Sequence, residues 1–229
     1  LKALGVDRIV SVAAVGSFRE PLAPRDIVFV DQFVDRTRRP EQQTFFGDGI
    51  VAHIGFADPT CARLRHQIFE TAQPILGALP DGPAGRPPAA HDGGTYLNME
   101  GPAFSTRAES FLYKSWGMDV IGMTNMTEAR LAREAEICYT TMAMVTDYDC
   151  WHEQHEQVSV EMIVATLQAN ATAAKEILRQ ALPRLPDTDG CPCRTALENA
   201  VITDPAAFPP DVRKKLSLFL DRYFPDPDA

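Results

Sequence analysis

The stretch Thr146-Asp147-Tyr148-Asp149-Cys150-Trp151 sets two carboxylates one residue apart, directly after an apolar run from Ile137 to Val145. The run reads as a buried strand ending at Val145. In α/β proteins the carboxyl ends of strands are where ligands sit. Two acids placed there raise each other's pKa, and burial raises it further. A carboxylic acid kept protonated near neutral pH can give a proton to a leaving group. On spacing alone, however, an arbitrary Asp-x-Asp is more often a solvated loop.

A second group of residues invites a different chemistry. His152-x-x-His155 stands beside Asp147, Asp149 and Cys150, a composition compatible with a metal. Both histidines lie at the polar entrance to a helix, and no metal is expected. The five cysteines, Cys61, Cys138, Cys150, Cys191 and Cys193, are mostly scattered singly. An odd count in such contexts suggests reduced thiols and a cytoplasmic location. Cys191-Pro192-Cys193 could be a redox pair, a strained disulfide or two buried thiols, and a structural role is the favoured reading.

The elements that must position these residues can be read from periodicity and breakers. Arg8 to Val15 is a β-branched apolar run, hence a strand, and Asp26 to Val30 a second one. That strand leads into Asp31–Thr37, and from there to Cys61 the chain reads as loop. Ala62 to Leu79 fits a helix, and the Gly/Pro/Ala stretch through Pro88 an exposed loop. Strand Thr95 to Met99, helix Thr106 to Trp116 and strand Asp119 to Met123 follow. A helix from Glu128 to Ala135 is expected, capped by Thr127. Ser159 to about Leu182 is the longest helix candidate, with Ser159 as its cap and Pro183 as its stop. A last helix runs from about Pro210 to Tyr223. Strands alternating with helices indicate an α/β fold, a three-layer sandwich with a central mixed sheet. Residues 1–229 form one domain in this reading, with 186–229 as a C-terminal helical extension.

The totals agree with this class. The chain has 229 residues, 45% of them hydrophobic, which suffices for a sizeable core. A net charge of −9 and a pI near 5.0 argue against nucleic acid or an anionic membrane as partner. No apolar run approaches the length of a membrane span.

Three motifs taken together are more specific. Glu100-Gly-Pro-Ala-Phe-Ser-Thr-Arg-Ala-Glu-Ser110, Gly122-Met-Thr-Asn-Met-Thr-Glu128 and the acidic hexapeptide occur in an order that resembles the S-methyl-5'-thioadenosine phosphorylases, a branch of the purine nucleoside phosphorylase superfamily. Gly16-Ser-Phe-Arg-Glu20, Asp31-Gln-Phe-Val-Asp-Arg-Thr37 and Val158-Ser-Val160 support the resemblance. It implies phosphorolysis of methylthioadenosine to adenine and 5-methylthioribose 1-phosphate. Inorganic phosphate would be the co-substrate, with no further cofactor. Carried over residue by residue, Asp147 is the acid near purine N7, and Asp149 and Ser105 hold the base. Phe104 packs on the base, Met123 contacts the ribose, and Thr124 offers a hydroxyl to phosphate. Ala14 and Gly16 bring backbone to the phosphate, and Val160 and Ile163 form the methylthio wall. His53 would serve a neighbouring subunit's site, so a homotrimer, or a hexamer of paired trimers, is implied.

One departure bears on activity. The family's Gly-rich turn and an Arg-His pair that serve phosphate do not occur in these residues. The opening Leu1-Lys-Ala-Leu-Gly5 reads as the end of a helix capped by Gly5, and N-terminal material is expected to be missing. Two alternatives follow from that departure: a nucleosidase that uses water, or a non-catalytic remnant.

Overall fold

A computed structural model of the chain describes residues 1–38, 43–152, 160–185 and 187–225. Its centre is a mixed sheet of seven strands: β1 (Arg8–Ser17), β2 (Ile27–Phe29), β3 (Gln32–Arg36), β4 (Ala90–Asp92), β5 (Thr95–Met99), β6 (Val120–Gly122) and β7 (Cys138–Tyr148). They lie in the order β3-β5-β6-β1-β7-β2-β4. β1 pairs in parallel with β7 along its whole length, whereas β1/β6 and β2/β7 are antiparallel. The mixed α/β sheet expected from the alternation is therefore present.

Alternation along β7 explains the layers. Cys138, Met142 and Met144 point to one face, where they meet Leu64, Ile68, Ala72 and Leu76 of α1 (Ala62–Gly77) and Ala173, Ala174 and Ile177 of α4 (Val160–Ala181). The odd neighbour Tyr139 points to the other face, against Ala129 and Ala132 of α3 (Asn125–Glu134). Period-two side chains on a central strand require cover on both sides, and helices supply it. Helix α2 (Arg107–Ser115) starts with a reciprocal cap in which Thr106 Oγ1 accepts from the Glu109 amide and the Glu109 carboxylate accepts from the Thr106 amide.

Several boundaries differ from the sequence reading, each for a physical reason. β3 falls in the Asp31–Thr37 stretch, to which the sequence assigns no element: Gln32–Arg36 finds a parallel partner in β5, and β4 pairs in parallel with β2. Helix α3 begins three residues before Glu128: the buried Asn98 side chain accepts from the Met126 amide, so the cap comes from another strand and Thr127 sits inside the helix. The C-terminal helix is broken into α5 (Pro210–Lys215) and α6 (Ser217–Leu220). Their apolar residues Val212, Leu216 and Leu220 cover Phe46 and Ile50 of the long loop. Gly5 adopts the expected left-handed cap, with φ 75°. Ser159, expected to cap α4, lies outside the described residues.

One edge is conspicuous in a central strand. Beyond the two residues paired with β6, β1 has no second strand neighbour from Arg8 to Val15 among the described residues. An apolar cleft of about 620 Å³ borders Ile9, Val10, Leu131, Ile137 and Phe219 there.

Candidate active site

The end of β7 is shaped by a register shift. Val15 faces Val145 but Gly16 faces Asp147, so Thr146 is the extra residue of a bulge. The strand thus continues past Val145, and Asp147 belongs to β7 instead of following it, a correction to the boundary read from the apolar run. The pairing with β1 holds the polar residues in the strand after hydrophobicity has ended. Three groups fix the turning point. The Val145 carbonyl accepts from the Arg25 amide at 2.9 Å and from Asn170 Nδ2 of α4 at 2.9 Å. The Val145 amide donates to the Asp26 carbonyl at 2.9 Å.

Asp147 and Asp149 are both half-buried. The Thr146 hydroxyl stands 2.6 Å from Asp147 Oδ1 and 3.2 Å from the Val15 carbonyl. A hydroxyl has one proton and two lone pairs. It donates to Asp147 Oδ1, with the Val15 carbonyl as a second, more distant acceptor. Asp149 is held differently. Its amide donates to the Ser17 carbonyl at 2.9 Å, which also receives Trp151 Nε1 at 2.8 Å. Its carboxylate accepts from Ser105 Oγ at 3.2 Å, and Cys150 Sγ reaches the Ser105 carbonyl at 3.7 Å.

Glycine lets the strands approach. A Cβ on Gly16 would lie 3.2 Å from Ile121 and 3.5 Å from the Asp149 Cβ. A Cβ on Gly122 would fall 1.9 Å from the Tyr96 hydroxyl, so only glycine fits where β6 leads into Met123 and Thr124. Burial pushes the Tyr96 phenol up to about 12; it lies towards Thr124 and Met123 without a hydrogen bond of ordinary geometry.

The expected residues therefore fall into groups. Asp149 links two of them, lying beside Gly16 and accepting from Ser105. Met123 adjoins them through β6 and packs on Gly101, whose Cβ would meet its sulfur at 2.8 Å. Thr124 is exposed at the start of α3, its hydroxyl donating to Asn125 Oδ1 at 3.0 Å. Ala14 is exposed on the same face of β1 as Gly16. Phe104 is 85% exposed, so its ring stands open to a ligand. Val160 and Ile163 fall in α4, and their side chains lie outside the described residues. His53 is remote from this group within the chain. It borders a separate cavity of about 350 Å³ with Thr44, Arg130 and Glu134.

Asp147 opens on a cavity of about 400 Å³ whose wall includes Glu20, Tyr148, His152, Met162 and Thr166. His152 Nε2 is 3.1 Å from Glu20 Oε1, and its ring stacks on Tyr148 at 4.4 Å. Burial and the Glu20 charge push the Tyr148 phenol up. The sequence reading weighed His152 as a metal ligand with His155; His155 lies outside the described residues. Glu20, Thr146, Asn98 and Asn170 escaped that reading as individual residues. Glu20 and Thr146 lay in motifs, Gly16–Glu20 and the acidic hexapeptide; Asn98 and Asn170 become visible only in three dimensions.

Comparison with known proteins decides the family. Residues 1–183 match the model of the phosphorylase superfamily. The S-methyl-5'-thioadenosine phosphorylase of Geobacter sulfurreducens is 53% identical over 97% of this chain and 74% of its own length. The chain is a member of this superfamily, in its S-methyl-5'-thioadenosine phosphorylase branch. The Gloeobacter violaceus enzyme of the same name is 52% identical over 97% of this chain and 72% of its own. Among solved structures, a methylthioadenosine phosphorylase from an antarctic soil metagenomic library superimposes with a TM-score of 0.87 at 41% identity, covering 96% of this chain and 74% of that one. An adenosine/methylthioadenosine phosphorylase mutant from Schistosoma mansoni, solved with methylthioadenosine, has a TM-score of 0.72 at 36% identity over 82% of this chain and 68% of its own.

Proposed function

We propose that this chain catalyses phosphorolysis of 5'-methylthioadenosine, with Asp147 as the general acid. A phosphate oxygen forms the bond to the anomeric carbon as the bond from that carbon to purine N9 breaks. The bonding pair moves into the purine, and Asp147 protonates it at N7, so adenine leaves neutral. The observation that carries this role is the placement of Asp147: the β7 bulge sets its half-buried carboxyl, bonded to the Thr146 hydroxyl, on the wall of an open cavity. An acid positioned where negative charge develops lowers the barrier.

The remaining roles are those that the family resemblance implies. Asp149, steadied by Ser105, accepts from the exocyclic amine and so favours a 6-aminopurine. A site built to hydrogen-bond that amine rejects an analogue lacking it. Phe104 covers the base, Met123 the ribose, and Thr124 with the backbone at Ala14 and Gly16 receives phosphate. Val160 and Ile163 surround the methylthio group. A trimer, with His53 completing a neighbour's site, and a cytoplasmic location are part of this proposal. Among the described residues no helix is long and apolar enough to cross a membrane.

The test is adenine release from methylthioadenosine with and without phosphate, together with mass spectrometry of the sugar product. Release that requires phosphate and yields the sugar 1-phosphate is expected. Free methylthioribose formed without phosphate would overturn the proposal in favour of hydrolysis.

A further inference from the structure

Far from the acidic loop, four cysteines meet. Cys61, Cys138, Cys191 and Cys193 are each buried, and their sulfurs lie within 4.8 Å of one another. Cys191 Sγ is 3.6 Å from Cys61 Sγ and 3.5 Å from Cys138 Sγ. We propose that these four thiolates bind a structural zinc ion that fastens the C-terminal segment to the core.

The geometry favours one ion over two disulfides. A tetrahedron with Zn–S bonds of about 2.3 Å has sulfurs roughly 3.8 Å apart along each edge. The two Cys191 separations approach that edge length, and the remaining sulfurs are within reach of it. Cys191 is almost equally close to two partners, so no pairing into disulfides is selected. The ligands also come from separate elements. Cys61 caps the N-terminus of α1, Cys138 opens β7, and Cys191 and Cys193 flank a single proline. Backbone hydrogen bonds hold each arm: the Cys61 amide donates to the Tyr139 carbonyl at 2.7 Å, that of Cys138 to Asp7 at 3.0 Å, and that of Cys191 to Thr188 at 3.1 Å. The sulfurs are thus brought together before any ion arrives.

The surroundings suit a doubly negative zinc–thiolate centre. The positive end of the 16-residue α1 points at Cys61. Arg8 and Arg63 border a cleft of about 20 Å³ that reaches Cys61, Cys138 and Cys191. Four thiolates select a soft, tetrahedral ion, and a closed set with no open position is the structural kind.

The experiment is a metal count on the full chain purified without chelator, paired with thiol titration after denaturation without reductant. About one zinc per chain is expected, with all five thiols titratable once the ion is removed. Cobalt substitution should give the absorption of a tetrahedral thiolate site. Cys193→Ser should lose the zinc, and Cys150→Ser, outside the cluster, should keep it. If Cys193→Ser does not fold, the wild-type count and the Cys150→Ser count still decide. Two results would overturn the proposal: a zinc-free protein with five reactive thiols, or a mass lowered by two hydrogen atoms for each disulfide formed.

Discussion

The two ends of β7, about 30 Å apart along the strand, present opposite solutions. At its start, Cys138 is sealed between α1 and the C-terminal segment, and its neighbours are sulfur and aliphatic carbon. At its end, the bulge at Thr146 turns the half-buried Asp147 towards a cavity of about 400 Å³, and Asp149 follows two residues on, bonded to Ser105. A closed cluster of ligands has nowhere to admit a substrate, so its contribution is to the fold. An open pair of acids adds little to packing, so its contribution is to chemistry. Substitutions at the two ends should therefore separate stability from turnover.

The largest effect is expected for Asp147→Asn. Removing the proton donor should lower kcat by about 10²–10⁴, with thermal stability changed little. Selectivity should move towards 6-oxopurines, since an amide can donate where a carboxylate only accepts. Steady-state adenine release and a melting curve on the same preparation check both halves. A kcat within a few-fold of the parent would remove Asp147 from the chemistry.

Asp26 sharpens the contrast, because it is a buried charge that serves the open end. It is 1% exposed and accepts from Arg86 at 2.7 Å and the Ala89 amide at 2.9 Å, with the His91 ring at 2.9 Å. Burial alone would raise its pKa; the hydrogen bonds from His91, Arg86 and Ala89 outweigh that and hold it below the ordinary 3.8. A depressed folded value means that its stabilisation is complete above the unfolded pKa and is lost as pH falls through the folded one. Asp26→Ala should cost about 2–3 kcal/mol at neutral pH, less than a fully enclosed pair because Arg86 is partly exposed. The variant should also lose part of the parent's pH slope below about pH 4. Denaturant titrations at several pH values measure both.

Cys138→Ser probes the closed end. A buried hydroxyl in place of a thiolate should destabilise the fold by about 1–3 kcal/mol and abolish the zinc count, while the parent's KM for methylthioadenosine is kept in the folded fraction. A variant that kept its stability but lost turnover would erase the proposed division between the two ends.

The same contrast explains what could be read from the sequence. Apolar period placed the buried strands β1 and β7 and helices α1 and α4, since burial is what hydrophobic pattern records. It could not place β3 or β4, which are short and exist through their partners β5 and β2. It ended β7 at Val145 because Thr146 and Asp147 are polar, although pairing with β1 carries the strand to Tyr148. Asp147, Asp149 and Ser105 were legible through motif resemblance, and contact between Ser105 and Asp149 is now seen. Asn98, which caps α3 from β5, had no local signal at all. The four-cysteine cluster was equally hidden: Cys61, Cys138 and the Cys191/Cys193 pair are far apart in the chain, and only the fold unites them.

The smallest effect is expected at Ser105, and it distinguishes the two carboxylates of the open end from each other. Its hydroxyl donates to Asp149 at 3.2 Å, a long bond in a half-exposed place. A hydrogen bond of this kind is worth about 1 kcal/mol. Ser105→Ala should therefore raise KM for methylthioadenosine roughly five-fold and leave kcat nearly unchanged, because Asp149 steadies the base without giving the proton. Stability should stay the same, since Asp149 keeps its backbone bond to Ser17. If kcat fell while KM held, Ser105 would belong with Asp147 in the proton-transfer step, and the assignment of one carboxylate to chemistry and the other to binding would have to be redrawn.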